Sequence, residues 1–400
     1  MAKAEVLRVL VLDGMLRKLN RDLGKLILGA TAVVAIYFGV NFYIARRLYQ
    51  AGTYLSPSFP LVWFIIVYTL IAVAHILGRL ALPIAVKKVM AAIGSLWLGA
   101  FVYLWILMML RDGLVFLARL AGWVSPAALP RAQFWATTVV VVLTSAIILY
   151  GIYQAGKTKI VSYDLPLRPN QSGELKIVLI ADLHLGDTNS EARLEDIVTK
   201  INQQQADIVC IAGDIFNDSY RNIRYPDRAA SLLGNLKTRF GVYACLGNHD
   251  AGQTLPEMMD FLERSNIRLL TDDYTLIDDR FVLVGRLDPS PIGGFGDLHR
   301  ADFADLALPG DASRPVIVMD HNPAKIAEYG LGIDLILCGH THHGQVFPAN
   351  LLTSAIFPVS YGHYQKDSAS PQVVVTSGVG MWGMPLRVGT HNEIVTITLR

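Results

Sequence analysis

Apolar residues fall along the 400-residue chain in two rhythms. Up to about residue 155 they come in long runs, at 26–44, 59–80, 89–110 and 134–153. Each run is close to the roughly 20 residues a helix needs to cross the hydrocarbon core of a bilayer, so an α-helical transmembrane region of about four helices is expected over 26–155. The stretch 112–130 is apolar too, but Arg119, Pro126 and Pro130 interrupt it. An interfacial or re-entrant segment is expected there rather than a fifth span. Residues 1–25 read as an amphipathic helix on the membrane surface, basic on its polar face. No small-residue cleavage site follows the first run, so a signal peptide is not expected.

From about Gly156 the rhythm shortens. Brief apolar runs alternate with amphipathic ones, as strands and helices do in an α/β layer arrangement over 156–400. Five runs share a feature: LKIVLIADLHLG, ADIVCIAGDIFN, GVYACLGNHD, RPVIVMDHNP and IDLILCGHTHHG. Each is a buried-type strand ending in Asp, Asn or His. α/β sheets build sites at strand ends, where loops converge on a rigid edge. A single Asp or Asn there would be read as a turn or cap. Five in register are not five turns.

Charge supports the division into two parts. Hydrophobic residues make up 52% of the chain and the mean hydropathy is +0.39, too apolar for an ordinary soluble enzyme. Only Glu5, Asp13, Asp22 and Asp112 precede Gly156, against 14 of the 35 Lys and Arg, leaving the first part about +10 and the remainder about −8. Lys and Arg gather in the amino-terminal segment, at Arg79, Lys87 and Lys88, and at Lys157 and Lys159. That pattern favours an inner or plasma membrane location with the 156–400 part facing the cytoplasm. Cys210, Cys245 and Cys338 all lie in predicted strands, which fits a reducing compartment.

Counted as ligands, the strand-end residues are Asp182, His184, Asp214, Asn248, His321, His340 and His342. Seven are too many for one tetrahedral zinc and suit two divalent ions of zinc, manganese or iron type, with manganese favoured. Two such ions share an acidified hydroxide and clamp phosphoryl oxygens during in-line displacement.

DLH, GD, GNHD, an isolated His after a strand, and GHTH, in this order over about 176–400, resemble the calcineurin-like metallophosphoesterases. PLRVG, EIVTITL and GHTHHGQV are similar to the branch of that family whose catalytic domain follows membrane helices. The resemblance implies an α/β metallophosphoesterase domain, a β-sheet sandwich flanked by helices. It implies that Asp182, His184 and His342 hold one ion, that Asn248, His321 and His340 hold the other, and that Asp214 bridges them. His249 would face the substrate, stabilising phosphate charge and protonating the leaving oxygen, with Asp250 orienting it. His343 departs from the branch pattern, which has glycine there.

The function expected is a membrane-bound, metal-dependent phosphoesterase acting on a phosphoester or pyrophosphate of a phospholipid or lipid-linked phosphate. The segment FPANLLTSAIFPVSYG is more apolar than an exposed connector should be and is expected to lean against the bilayer or an acyl chain, rather than form a packed hairpin. Membrane lipids are the expected partners. Nucleic acid is not, because the 156–400 part is net negative without a basic stripe. Two other readings stand beside this one: a membrane-anchored phosphodiesterase for a soluble nucleotide-type substrate, and a transport or signalling protein with a structural metal site. His75 is expected to make a helix contact, and His299, His363 and His391 to lie at the surface or behind the site. Arg221, Arg224 and Arg228 could bind phosphate or form a solvated face.

Overall fold

A computed structural model describes residues 2–80, 82–167, 174–186, 191–309 and 313–400. The chain divides into two compact units, Met1–Ala146 and Ile147–Arg400.

The first unit is helical. Helix α1 runs without a break over Ala2–Leu55, followed by α2 Leu61–Leu77, α3 Ile84–Leu120 and α4 Leu129–Ala155. Residues 2–25 are thus continuous with the first span; the side chains that would test the expected amphipathic character of 1–25 lie outside the described residues. Among the described residues, three helical segments are long and apolar enough to cross a bilayer: Ile27–Leu55, Ala85–Leu120 and Leu129–Ala155. Four were expected. The remaining apolar helix, α2, has 17 residues, because Pro60 caps its start and Gly78 its end. No fifth helix forms from 112–130; α3 takes that stretch as far as Leu120 and a turn carries the chain to α4. Arg119 does not stop the helix, since an arginine suits a helix interior and costs only bilayer depth. Its neighbours Leu114, Phe116, Leu117 and Leu120 stay exposed, as a lipid-facing surface would be.

The second unit begins inside α4. Gly151 accepts from the Arg387 N–H at 3.0 Å, and the Ala155 carbonyl accepts from Arg193 at 2.7 Å and Asn392 at 2.8 Å. Beyond it lie β1 Thr158–Leu165, β2 Leu175–Ile180, α5 Glu191–Gln203, β3 Ile208–Ala212, α6 Pro226–Leu233, β4 Val242–Cys245, α7 Leu255–Arg264 and β5 Ile267–Leu269. They are followed by β6 Asp273–Ile277, β7 Phe281–Gly285, β8 Val316–Met319, β9 Leu335–Cys338, α8 Ala349–Ile356, β10 Gly362–Tyr364, β11 Gln372–Val375 and β12 Asn392–Leu399.

Two six-stranded sheets result, in the orders β1-β12-β2-β3-β4-β5 and β10-β11-β9-β8-β7-β6. β2, β3, β4 and β5 are parallel, as are β7, β8, β9 and β11. Side chains alternate between faces along each strand. Leu175, Ile177 and Leu179 of β2, with Ile208 and Cys210 of β3, pack against Ile317, Met319, Leu335 and Leu337 of the other sheet. Val178, Ile180, Val209 and Ile211 face the opposite way, onto Ile197 and Ile201 of α5, Leu233 of α6 and Phe261 of α7. Each such buried aliphatic side chain contributes about 1.5–3 kcal/mol. Both layers therefore hold their strand ends rigidly, and the parallel strands β2, β3, β4, β8 and β9 each release a loop carrying one or more candidate ligands.

Candidate metal centre

The seven strand-end residues converge. His184 Nε2 lies 3.1 Å from His342 Nε2 and 3.9 Å from Asp182 Oδ1, and His342 Nε2 lies 3.3 Å from the same oxygen. In a second group His321 Nε2 is 3.1 Å from Asp214 Oδ2 and 3.3 Å from His340 Nδ1, which is 2.9 Å from Asn248 Oδ1. Asp214 Oδ2 is also 3.7 Å from His184 Nε2, so one carboxylate oxygen faces both groups. Its other oxygen accepts the main-chain N–H of His249 at 2.9 Å, which fixes the carboxylate's orientation.

The backbone beneath these ligands is unusual. Asp182, His184, Asp214, His340 and His342 all have φ between 46° and 70°. Side chains other than glycine rarely adopt that left-handed region, and strain of this kind clusters at functional sites. At Gly247 the constraint is space: a Cβ there would meet Asp214 Oδ1 at 2.2 Å.

Protonation states suit cations. Burial lowers the His184 pKa to about 4 and that of His340 to about 3, and pushes His342 well below its ordinary value. All three rings are therefore neutral at pH 7, the form that ligates a metal. Burial pushes the Asp182 carboxyl up to about 7, against the pull of His321. Burial also disfavours ionised Asp214, but His321 and His184 outweigh it and hold this carboxyl below its usual range. The His321 Nδ1 donates to the Ala212 carbonyl at 2.7 Å; burial disfavours the charged ring, but Asp214 and Asp182 raise its pKa well above the ordinary value, so Nε2 faces Asp214 with a proton that a bound cation would displace. At 3.1 Å, the Nε2 atoms of His184 and His342 can share one ring's N–H in a hydrogen bond, or both turn their lone pairs to a bound cation. The residues fit two divalent ions, one in each group.

His249 stands apart from both groups, its ring 5.1 Å from that of His184 and at 79° to it. Burial lowers its pKa, but Asp218, whose Oδ1 lies 2.5 Å from Nδ1, and the charge of Asp214 raise it above the ordinary value. Asp250 was expected to orient this ring and does not. Fully buried, it accepts the N–H of Phe216 at 2.8 Å and of Gly247 at 2.9 Å, stapling the loops after β3 and β4 together. Successive side chains in the turn diverge, so the residue after His249 points into the protein. Asp218, four residues beyond Asp214, takes the orienting position.

Residues around the two groups support them, and two of these, Asp288 and Trp382, were not singled out by sequence. Arg387 of PLRVG is fully buried and donates to the carbonyls of His342 at 2.9 Å, Ser377 at 2.8 Å and Gly380 at 2.8 Å. It holds the histidine loop against the chain before β12. Glu393 accepts from Thr376, Ser377 and Tyr361, each at 2.9 Å. His343 stacks flat on Tyr361, with ring centres 4.2 Å apart, which directs the extra imidazole away from the ligand groups. His391 meets Glu393 at 3.1 Å, and His363 packs near Tyr163. Asp288, just past β7, is 1% exposed and its Oδ2 has no hydrogen-bond partner. Trp382, 48% exposed, lies 5.9 Å from the His249 ring. Arg221 and Arg228 pair at the surface with Glu257 and Glu195, a solvated face rather than part of the site. In the helical unit, the ring of His75 lies edge-on to Tyr37 at 5.6 Å, a helix contact.

A two-sheet α/β sandwich with paired Asp/His/Asn groups at its strand ends defines a metallophosphoesterase class of site. Residues 175–344 match the family model described as calcineurin-like phosphoesterase. An uncharacterized metallophosphoesterase of Campylobacter jejuni is 31% identical over 267 residues, 65% of this chain and 68% of that protein. A protein of Danio rerio named transmembrane protein with metallophosphoesterase domain is 29% identical over 384 residues, 90% of this chain and 86% of its own. An uncharacterized metallophosphoesterase of Helicobacter pylori is 33% identical over 232 residues, which span 60% of its length. The chain belongs to the calcineurin-like metallophosphoesterases and joins that catalytic domain to membrane-associated helices.

Proposed function

We propose that the protein hydrolyses a phosphoester or pyrophosphate bond of a membrane-borne substrate, a phospholipid or lipid-linked phosphate, with two divalent ions, manganese favoured. When bound, the ions supply the positive charge that acidifies water and steadies phosphoryl oxygens. Asp182, His184 and His342 would hold one, Asn248, His321 and His340 the other, with Asp214 between them. His249 is placed to donate a proton to the leaving oxygen, and Asp218 keeps its Nδ1 engaged so that Nε2 is the free donor. With α2 counted as a fourth, short span, the Lys/Arg pattern favours placing the catalytic domain on the cytoplasmic face of the membrane.

The observation that carries the lipid reading is α8. The segment after the histidine loop is a short helix rather than a packed hairpin, and Leu351, Leu352 and Ile356 are each 61% exposed. Phe357, at its end, lies 5.5 Å from the His340 ring. An apolar patch so close to a polar centre suits an acyl chain or the bilayer surface. The test changes Leu351, Leu352 and Ile356 together to serine in the full chain. It compares hydrolysis of a lipid phosphate in mixed micelles with that of a soluble aryl phosphodiester. Under this reading lipid activity falls about tenfold or more, as losing roughly 1.4 kcal/mol of binding implies, while the soluble activity holds. Equal activity on the lipid would instead favour a soluble nucleotide-type substrate.

A further inference from the structure

We propose that the helical unit holds the phosphate-bearing headgroup of an anionic membrane lipid in a cavity between α1, α3 and α4. The cavity, about 260 Å³, is walled by Gln50, Ala51 and Tyr54 of α1, Arg111 of α3, and Gln133 and Thr137 of α4.

Its charge is unbalanced. Asp112 accepts from Arg47 at 2.6 Å and from the Tyr43 hydroxyl at 2.7 Å, and its other oxygen pairs with Arg111. Two guanidinium groups thus share one carboxylate. The sequence offers no second acid to neutralise them, since Asp112 is the only Asp or Glu between Asp22 and Asp164. Arg111 is only 5% exposed, and the Nε atoms of both Arg47 and Arg111 are buried without a hydrogen-bond partner. Arg111 spends one further donor on the Gln133 carbonyl, 2.8 Å away.

With one carboxylate between two guanidinium groups, the cluster carries one excess positive charge, which is costly beside a bilayer and which an anion in the adjoining cavity would balance. Guanidinium and amide donors suit phosphate oxygens. The cavity lies at the helix ends that also carry Arg46, Arg131, Tyr54 and Trp135, the residue types that mark the level of lipid headgroups. An arginine–aspartate cluster serving only to lock helices would need no cavity beside it.

The test measures thermal unfolding of the full-length protein in neutral detergent, with added dioleoyl phosphatidylglycerol, dioleoyl phosphatidylcholine or inorganic phosphate. Phosphatidylglycerol should raise the Tm by about 5 °C, and the other two should not. Ala51→Phe, which fills the cavity and leaves the arginine–aspartate cluster intact, should remove the shift, as should Arg111→Gln; exposed Arg119→Gln should keep it. Should Arg111→Gln fail to fold, Ala51→Phe decides. An equal shift with phosphatidylcholine, an equal shift with inorganic phosphate, or a shift that survives Ala51→Phe would each overturn the proposal. So would its loss in Arg119→Gln, which would mean diffuse attraction to basic helix ends.

Discussion

The two units bury polar groups in opposite ways. In the helical unit such groups mostly answer to their own helix: Thr137 donates to the Gln133 carbonyl at 2.8 Å, Asn41 to that of Tyr37 at 2.9 Å, and Ser95 to that of Ala92 at 3.0 Å. In the catalytic unit they answer to each other across loops from different strands, with histidine nitrogens and carboxylate oxygens converging at 3.1–3.9 Å. The first arrangement mostly closes on the backbone of the same helix, as a bilayer demands, with His75 Nδ1 and Thr144 Oγ1 among the buried atoms left without a partner. The second is incomplete without positive charge. A buried polar residue therefore signals chemistry when its partners are as electron-rich as it is. By that criterion the helical unit has one exceptional place, the Arg47–Asp112–Arg111 cluster, with its charge of the opposite sign.

The largest effect should come from removing the charge that both ligand groups share. Asp214→Asn is expected to lose metal together with all measurable aryl phosphodiesterase activity, as should chelation of the wild type. Elemental analysis beside a turnover assay checks it; full activity in a metal-stripped sample would reduce the centre to a structural feature. A smaller loss, on the order of 10²–10⁴ in kcat with metal content retained, is expected for His249→Ala. If that variant is as depleted of metal as Asp214→Asn, His249 belongs among the ligands. Asp218→Asn should keep the ring's position but weaken its hold on a proton, lowering kcat by about tenfold. Asp250→Asn acts through the loop staple, so its main readout is the unfolding temperature. A loss of turnover in Asp250→Asn larger than in Asp218→Asn would restore Asp250 as the orienting residue.

Much of this contrast was legible in the sequence, and where it was not the reason is geometric. The strand-end residues could be read because a buried strand has period two and a fixed end, so motif and element reinforce each other. Asp218 lies in an irregular loop with φ of 64°, where no period predicts which way a side chain points. Trp382 follows β11 at a distance and carries no ligand signature, and Asp288 lies just past β7 but in none of the quoted motifs. In the helical unit, run length measures apolar residues and not helix. The expected 59–80 run shrinks to Leu61–Leu77 between Pro60 and Gly78, whereas the 89–110 run grows to Ile84–Leu120 because helical hydrogen bonding continues through the polar Arg111 and Asp112 into the apolar residues beyond them. The meeting of Arg47 and Arg111 at Asp112 depends on how α1 and α3 pack, which neither run reveals.

The smallest effect on chemistry should come from disturbing the helical unit at its tightest contact. α2 and α3 meet at Gly94, where a Cβ would lie 2.2 Å from the His75 backbone nitrogen, well inside contact distance. Small residues let membrane helices approach this closely, and packing is the main force between them in lipid. Gly94→Val must push the two helices apart, and a lower unfolding temperature in detergent is expected. Turnover of a soluble aryl phosphodiester per folded molecule should stay within about twofold of wild type, as distant and independent sites behave. Circular dichroism melting and a single-substrate assay on one preparation measure both. A loss of soluble turnover approaching that of His249→Ala would show that the helices shape the metal centre itself, and the division of labour between the two units would fail.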